Sequence, residues 1–90
     1  MEFNWDFANL EHIARHKVEP EEAEEAATDP DAVSQPAHRG PGGQARFAFI
    51  GATEAGRLLV VVLEPRGEKA RVVTARPAST EERRRYELQE

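Results

Sequence analysis

Leu58-Leu59-Val60-Val61-Val62-Leu63 is an unbroken apolar run, mostly branched, with no Gly or Pro inside it. It is short for a free-standing helix, and its β-branched content suits a strand. Side chains on a strand alternate, so Leu58, Val60 and Val62 point one way and Leu59, Val61 and Leu63 the other. Both sets are apolar, which describes a central strand covered above and below. Each such side chain gains roughly 1.5–3 kcal/mol on full burial. No other block of the chain offers comparable apolar surface, so the rest is expected to pack around this one.

On the upstream side, Arg46-Phe47-Ala48-Phe49-Ile50 has strand character, with Phe47 and Phe49 on one face, and Gly51–Gly56 reads as the turn between the two. On the downstream side, Pro65-Arg66-Gly67-Glu68 is a second turn and Ala70–Ala75 the next strand. Strands joined by short turns form an antiparallel meander. Arg76-Pro77-Ala78 breaks it. Ser79-Thr80-Glu81-Glu82 then fits a capping box, with Ser79 as cap and Glu82 reaching back, and opens a C-terminal helix through Tyr86.

The N-terminal half reads as helical. Phe3-Asn4-Trp5 is a candidate edge strand and Asp6 a candidate N-cap. A first helix spans about Phe7 to His16, with Leu10, Ile13 and Ala14 as its apolar stripe. Pro20 suits the first position of a second helix, whose acidic opening favours the amide end and which Asp29-Pro30 terminates. Its apolar side is only Ala23, Ala26 and Ala27, and its glutamates read as a solvated face or a dock for a basic partner. Val33–Gln35 is a weak strand, and Pro36–Gln44 a Gly- and Pro-rich mobile loop. The fold class is therefore α+β: two N-terminal helices, an antiparallel meander and a C-terminal helix.

Ninety residues bound the chain to one domain, residues 1–90. With Cys 0, stability is expected from packing, without disulfides or thiolate metal sites. No apolar run approaches the roughly 20 residues that span a bilayer, and no signal peptide is evident, so no membrane partner is expected and the cytoplasm is the default location. The net charge of −5 is unevenly spread. Residues 1–34 hold ten acids against Arg15 and Lys17, a local −8, whereas residues 35–90 hold ten bases against seven acids, a local +3. Net acidity argues against general nucleic-acid binding, but a local basic face still attracts phosphate.

The basic residues gather around the meander and the last helix: Arg46 and Arg57 flank strands, Arg71 and Arg76 lie on or beside the last strand, and Arg83, Arg84 and Arg85 begin the final helix. Arginine suits planar, bidentate phosphate contacts. Tyr86 adds a phenol that can donate a proton or stack on a base. The competing reading pairs these arginines with the many glutamates. His12 and His16 stand four residues apart on the first helix, yet His-Glu-x-x-His is absent and no third ligand is evident, so no metal site is expected. A P-loop, a dinucleotide fingerprint and a Ser-His-Asp arrangement are absent as well.

Three groups of residues carry a family resemblance. The first is Phe3-x-Trp5-Asp6, then His12-Ile13-x-Arg15-His16-x-Val18-x-Pro20-Glu21-Glu22-Ala23, then Asp29-Pro30. The second is Arg46-Phe47-x-x-Ile50-Gly51 with Gly56-Arg57-Leu58-Leu59-Val60-Val61. The third is Arg71-Val72-Val73-Thr74-Ala75-Arg76-x-Ala78 with Glu82-Arg83-x-x-Tyr86. Together they resemble the BrnT toxin family, over nearly the whole chain and in order. The family usually has Gly after the first-helix histidine, in a left-handed conformation that closes the helix; this chain has Lys17.

The resemblance implies a toxin of a type II toxin–antitoxin system, with a compact RelE-like fold and ribonuclease activity. It also implies a cognate BrnA-like antitoxin whose own DNA-binding domain represses the operon, so that DNA is met only through the antitoxin. On that reading the RNA 2′-oxygen attacks the adjacent phosphate without a metal or other cofactor. Arg57, Arg71 and Arg76 stabilise the phosphoryl charge, His16 or Tyr86 moves protons, and Arg46 and Arg83 hold RNA. The alternative is a non-catalytic domain that binds the antitoxin and acts as co-repressor. In a meander the start of one strand lies beside the end of the next, so Arg57 and Arg76 are expected as neighbours in one cleft with Arg71 and either His16 or Tyr86.

Overall fold

The computed structural model describes residues 1–89. The elements, in chain order, are β1 (Glu2–Asn4), α1 (Phe7–Arg15), α2 (Pro20–Ala27), β2 (Val33–Gln35), β3 (Phe47–Ala52), β4 (Leu58–Arg66), β5 (Lys69–Pro77) and α3 (Thr80–Glu87). The strands form one sheet in the order β1-β5-β4-β3-β2. Neighbours are antiparallel except β1, which runs parallel to β5. The expected α+β architecture is present, with the apolar run at the centre of the sheet.

Alternation along β4 divides the structure. Leu59, Val61 and Leu63 face α1 and α2 and join Ile13, Val18, Ala23, Ala26, Val72 and Ala75 in the main core. Leu58 and Val60 face the other way and are also buried, beneath the end of the sheet that α3 crosses. Val62, further along that second face, is half-buried. The sheet thus has a helix face and an open face, and α3 covers only one end of the open face.

Local chemistry sets each helix. Asp6 caps α1 by accepting from the Asn9 amide at 2.8 Å. The helix ends where Lys17 takes φ 58°, with Lys17 N–H on Ala14 O and Val18 N–H on Ile13 O. That pattern satisfies the last carbonyls and folds Val18 back onto Ile13. The buried residues of α1 are Asn9 and Ile13 rather than Leu10, Ile13 and Ala14. Asn9 replaces an apolar side chain because its amide group accepts from Arg71 Nε at 3.1 Å and reaches Val73 O at 3.5 Å on the sheet edge.

α2 packs closely on β3, and Gly51 permits it. A Cβ there would stand 2.0 Å from the Ala26 carbonyl oxygen. Gly51 therefore belongs to the strand, and the turn narrows to Thr53–Arg57, where Gly56 adopts φ 88°. The second turn also narrows: β4 runs on to Arg66, opposite Lys69, leaving Gly67 and Glu68 as the connection. β5 likewise continues through Arg76 to Pro77 before ending. The glutamates of α2 are less solvated than expected. Glu22 bonds Arg57, Glu24 accepts from the Trp5 indole at 2.8 Å, and Glu25 accepts from the Glu54 amide.

Candidate functional site

The open face carries a hollow of about 240 Å³. Ala48, Val60, Val62, Val73 and Thr74 make its floor, and Gln35, Pro36, Ala37, His38, Arg46 and Arg76 its walls. The Gly- and Pro-rich segment forms one wall. It is tied to itself by Gly40 N–H on Gln44 O and by Arg39 Nη1 on Gly43 O at 2.9 Å.

Strand register decides which arginines reach this face. Arg76 lies opposite Val60, and Arg71 opposite Glu64, on the open side of β4. Residues five apart on a regular strand would point to opposite faces. A β-bulge at Val73 restores the match, because Val62 pairs with Thr74 whereas Leu63 pairs with Val72. Both Arg71 and Arg76 thereby come to the open face. Arg57 does not. It precedes β4 by one residue in the alternation that includes Leu59, and its Nη1 donates to Lys17 O at 2.8 Å and Glu22 Oε1 at 3.0 Å on the helix side. The expected single cleft of Arg57, Arg71 and Arg76 is thus split by the sheet.

Arg76 is gripped by Glu82 at 2.7 and 2.9 Å through both terminal nitrogens. Glu82 is 6% exposed. The Arg76 guanidinium first, and the Ser79 and Gln35 donors after it, outweigh the cost of burial and hold its carboxyl far below the usual range. At the other end of the face, Glu64 is 3% exposed and surrounded by Arg66 Nε at 3.0 Å, Arg46 Nε at 3.2 Å and Arg71 Nη1 at 3.6 Å. Burial raises the Glu64 carboxyl, but these arginines together pull it below its ordinary value. Arg71 also approaches Asp6 at 3.5 Å.

The proton-transfer candidates lie elsewhere. His16 caps α1, exposed, with its ring 5.6 Å from that of His12 and edge-on to it. Among the described residues, no group of three metal-ligating side chains includes that pair. The Tyr86 hydroxyl donates to Asp29 Oδ2, which also accepts from the Ala52 amide. That bond, then burial, pushes the phenol up to about 12. Arg83 is exposed on α3. Two residues of the open face were not singled out from the sequence. His38 is the one imidazole in the wall of the hollow among the described residues, and its sole signal was its place beside Arg39 in a glycine-rich loop. Glu64 follows the apolar run with no signal of its own, and only its position beside Arg46 and Arg71 reveals it.

Fold and hollow together define a small α+β protein with α1 and α2 on one side of a five-stranded sheet and, on the other, α3 beside an arginine-walled depression. Residues 5–82 match the family described as the ribonuclease toxin, BrnT, of type II toxin–antitoxin systems, and the chain belongs to that family. The fold is similar to the crystal structure of the Brucella abortus ribonuclease toxin BrnT. The TM-score is 0.65 at 24% identity, over 89% of this chain and 99% of that one. No curated protein matches the chain. Among the described residues, no helix is long and apolar enough to cross a membrane.

Proposed function

We propose that this chain is a metal-independent endoribonuclease toxin of the cytoplasm, neutralised by a cognate BrnA-like antitoxin, with the scissile phosphate of its RNA seated in the hollow between Arg46 and Arg76. The observation that carries this reading is the hollow itself, whose walls include Arg46, Arg76 and His38 above a largely apolar floor. The RNA 2′-oxygen gives up its proton and bonds to phosphorus, the bond to the 5′-oxygen breaks as that oxygen takes up a proton, leaving a 2′,3′-cyclic phosphate and a 5′-hydroxyl, and Arg46 and Arg76 offset the charge that builds on the phosphoryl oxygens. Arg71 backs them through the Glu64 cluster, and exposed Arg83 adds charge to the approach. His38 replaces His16 and Tyr86 as the proton-transfer group, because His16 ends α1 on the helix side of the sheet, away from the hollow, and the Tyr86 proton is held by Asp29. Arg57 serves the fold, tying β4 to the start of α2.

The test is cleavage of a short RNA in the presence of a chelator. Wild type should cut it, and a single 2′-deoxy substitution at the cut site should abolish cutting. Cutting that survives the substitution removes the 2′-oxygen mechanism. Expression without the antitoxin should arrest bacterial growth. Harmless expression would favour the second reading, a non-catalytic domain that binds a DNA-binding antitoxin and acts as co-repressor. One observation favours that reading: Phe7 (78% exposed), Leu10 (38% exposed) and exposed Ala14 form an uncovered apolar stripe on α1.

A further inference from the structure

The Glu64 cluster holds more guanidinium than its carboxylate requires. Arg46 and Arg66 each use Nε on a different oxygen of Glu64, at 3.2 and 3.0 Å. Among the described residues, neither engages a terminal nitrogen in a hydrogen bond to protein. A buried carboxylate that accepts one Nε–H from each restrains where both guanidiniums sit. It leaves their outer edges, with four N–H donors on each, free for a ligand. Arg71 completes the cluster from β5, and its charge is shared with Asp6. Three cations thus stand against Glu64 and the half-exposed Asp6, leaving a local charge of +1 on a chain of net −5. Arg66 is 51% exposed at the tip of the β4–β5 hairpin, and Arg46 also forms a wall of the hollow. The cluster is therefore contiguous with the hollow yet extends beyond it.

We infer that Arg46 and Arg66, aligned by Glu64, form a second phosphate subsite that holds the backbone of single-stranded RNA next to the phosphate in the hollow. The inference rests on the RNA reading above. Glu64 is a positioning residue: it touches no phosphate, and it turns two flexible side chains into a restrained pair of donors. A purely structural cluster, present only to neutralise Glu64, would make no difference to RNA.

The experiment uses the full chain and a single-stranded RNA carrying 2′-O-methyl groups throughout, which binds but offers no 2′-hydroxyl for attack. Binding is measured by fluorescence anisotropy across a series of salt concentrations. Each phosphate contact to a single strand contributes about 0.7 to the slope of log affinity against log salt. Arg66→Ala should lower that slope by about 0.7 and weaken binding several-fold at low salt, and Arg66→Lys should restore most of the slope. Arg15→Ala removes an equal charge from an exposed pair on α1 and should leave the slope unchanged. An Arg66→Ala slope equal to that of wild type overturns the subsite, as does a wild type that does not bind the modified RNA. Wild type that binds with this slope but cuts no unmodified RNA sinks the ribonuclease reading and leaves the subsite standing.

Discussion

Arg76 and Glu82 form a two-pronged pair, Nη1–Oε1 at 2.7 Å and Nη2–Oε2 at 2.9 Å, that fastens α3 to β5. The same carboxylate closes the helix N-terminus by accepting from the Ser79 amide at 2.9 Å, and it takes a fourth donor from Gln35 Nε2 on β2. One buried side chain thus joins a helix cap, an edge strand and an arginine of the candidate site. Arg76→Ala consequently strips the main partner from a buried carboxylate. Removing one member of a fully buried pair costs about 3–5 kcal/mol. Arg76 is 41% exposed, so water recovers part of that, and a loss of about 2 kcal/mol is expected. A thermal melt lowered by roughly 10 °C should reveal it. Relief of growth arrest by Arg76→Ala is therefore to be compared with Arg76→Lys, which keeps the charge.

Gly51→Ala should be among the most damaging small substitutions. The new methyl would meet the Ala26 carbonyl oxygen at 2.0 Å, and backbone cannot rotate away as a side chain does. Pushing α2 off the sheet should cost about 3 kcal/mol in chemical denaturation. An unchanged midpoint would show that α2 does not lie this close.

Lys17→Gly should act in the opposite direction. Lys17 holds φ 58°, a conformation that glycine reaches without strain. After allowance for the greater freedom of glycine in the unfolded chain, a gain of about 0.5–1 kcal/mol is expected. Arg57 bonds the Lys17 carbonyl, not its side chain, so that contact survives the substitution.

The pH dependence has two limbs. Glu82, Glu64, Glu22 and Asp29 all have carboxyls held below their ordinary values when folded. Their contribution is complete above the unfolded values near 4 and is lost as pH falls through the folded ones. Stability should therefore decline below about pH 4.5, measurable as an acid-unfolding curve. Tyr86 has the reverse sign. Its phenol is raised from 10.0 to about 12, so its contribution is present below pH 10 and disappears as pH rises through 12. The chain has a single tyrosine, so ultraviolet titration of tyrosinate reads this group directly. A midpoint near 10 would mean that the Asp29 contact is absent in solution.

His38→Ala should leave the melt unchanged, because the side chain is exposed on a loop, and should slow RNA cleavage by at least about a hundredfold if the imidazole moves a proton in the rate-limiting step. His12→Ala, an exposed imidazole on α1, is the matched control and should cut at the wild-type rate. Equal rates for both variants would remove His38 from the reaction.

Much of this architecture was legible along the chain because it depends on near neighbours. The two-sided apolarity of Leu58–Leu63 specified a central strand, Ser79 and Glu82 specified the start of α3, and Asp6 and Pro20 specified the starts of α1 and α2. Those signals operate within a turn or a strand pair, where sequence spacing equals spatial spacing. The basic character of the meander was visible in the same way.

Which arginines share a face was decided only in three dimensions. Arg57 and Arg76 stand near one end of adjacent strands, but the register places Arg57 with Leu59 and Arg76 with Val60, on opposite sides of the sheet. Arg71 and Arg76, five residues apart, would be separated on a regular strand, and one extra residue at Val73 brings them together. A single-residue slip in pairing reverses every side chain beyond it, and no local preference in the sequence records where such a slip occurs. The same cross-strand geometry buries Glu64 among Arg46, Arg66 and Arg71. The chain order therefore determined the elements and their charge, and strand register determined which charges meet.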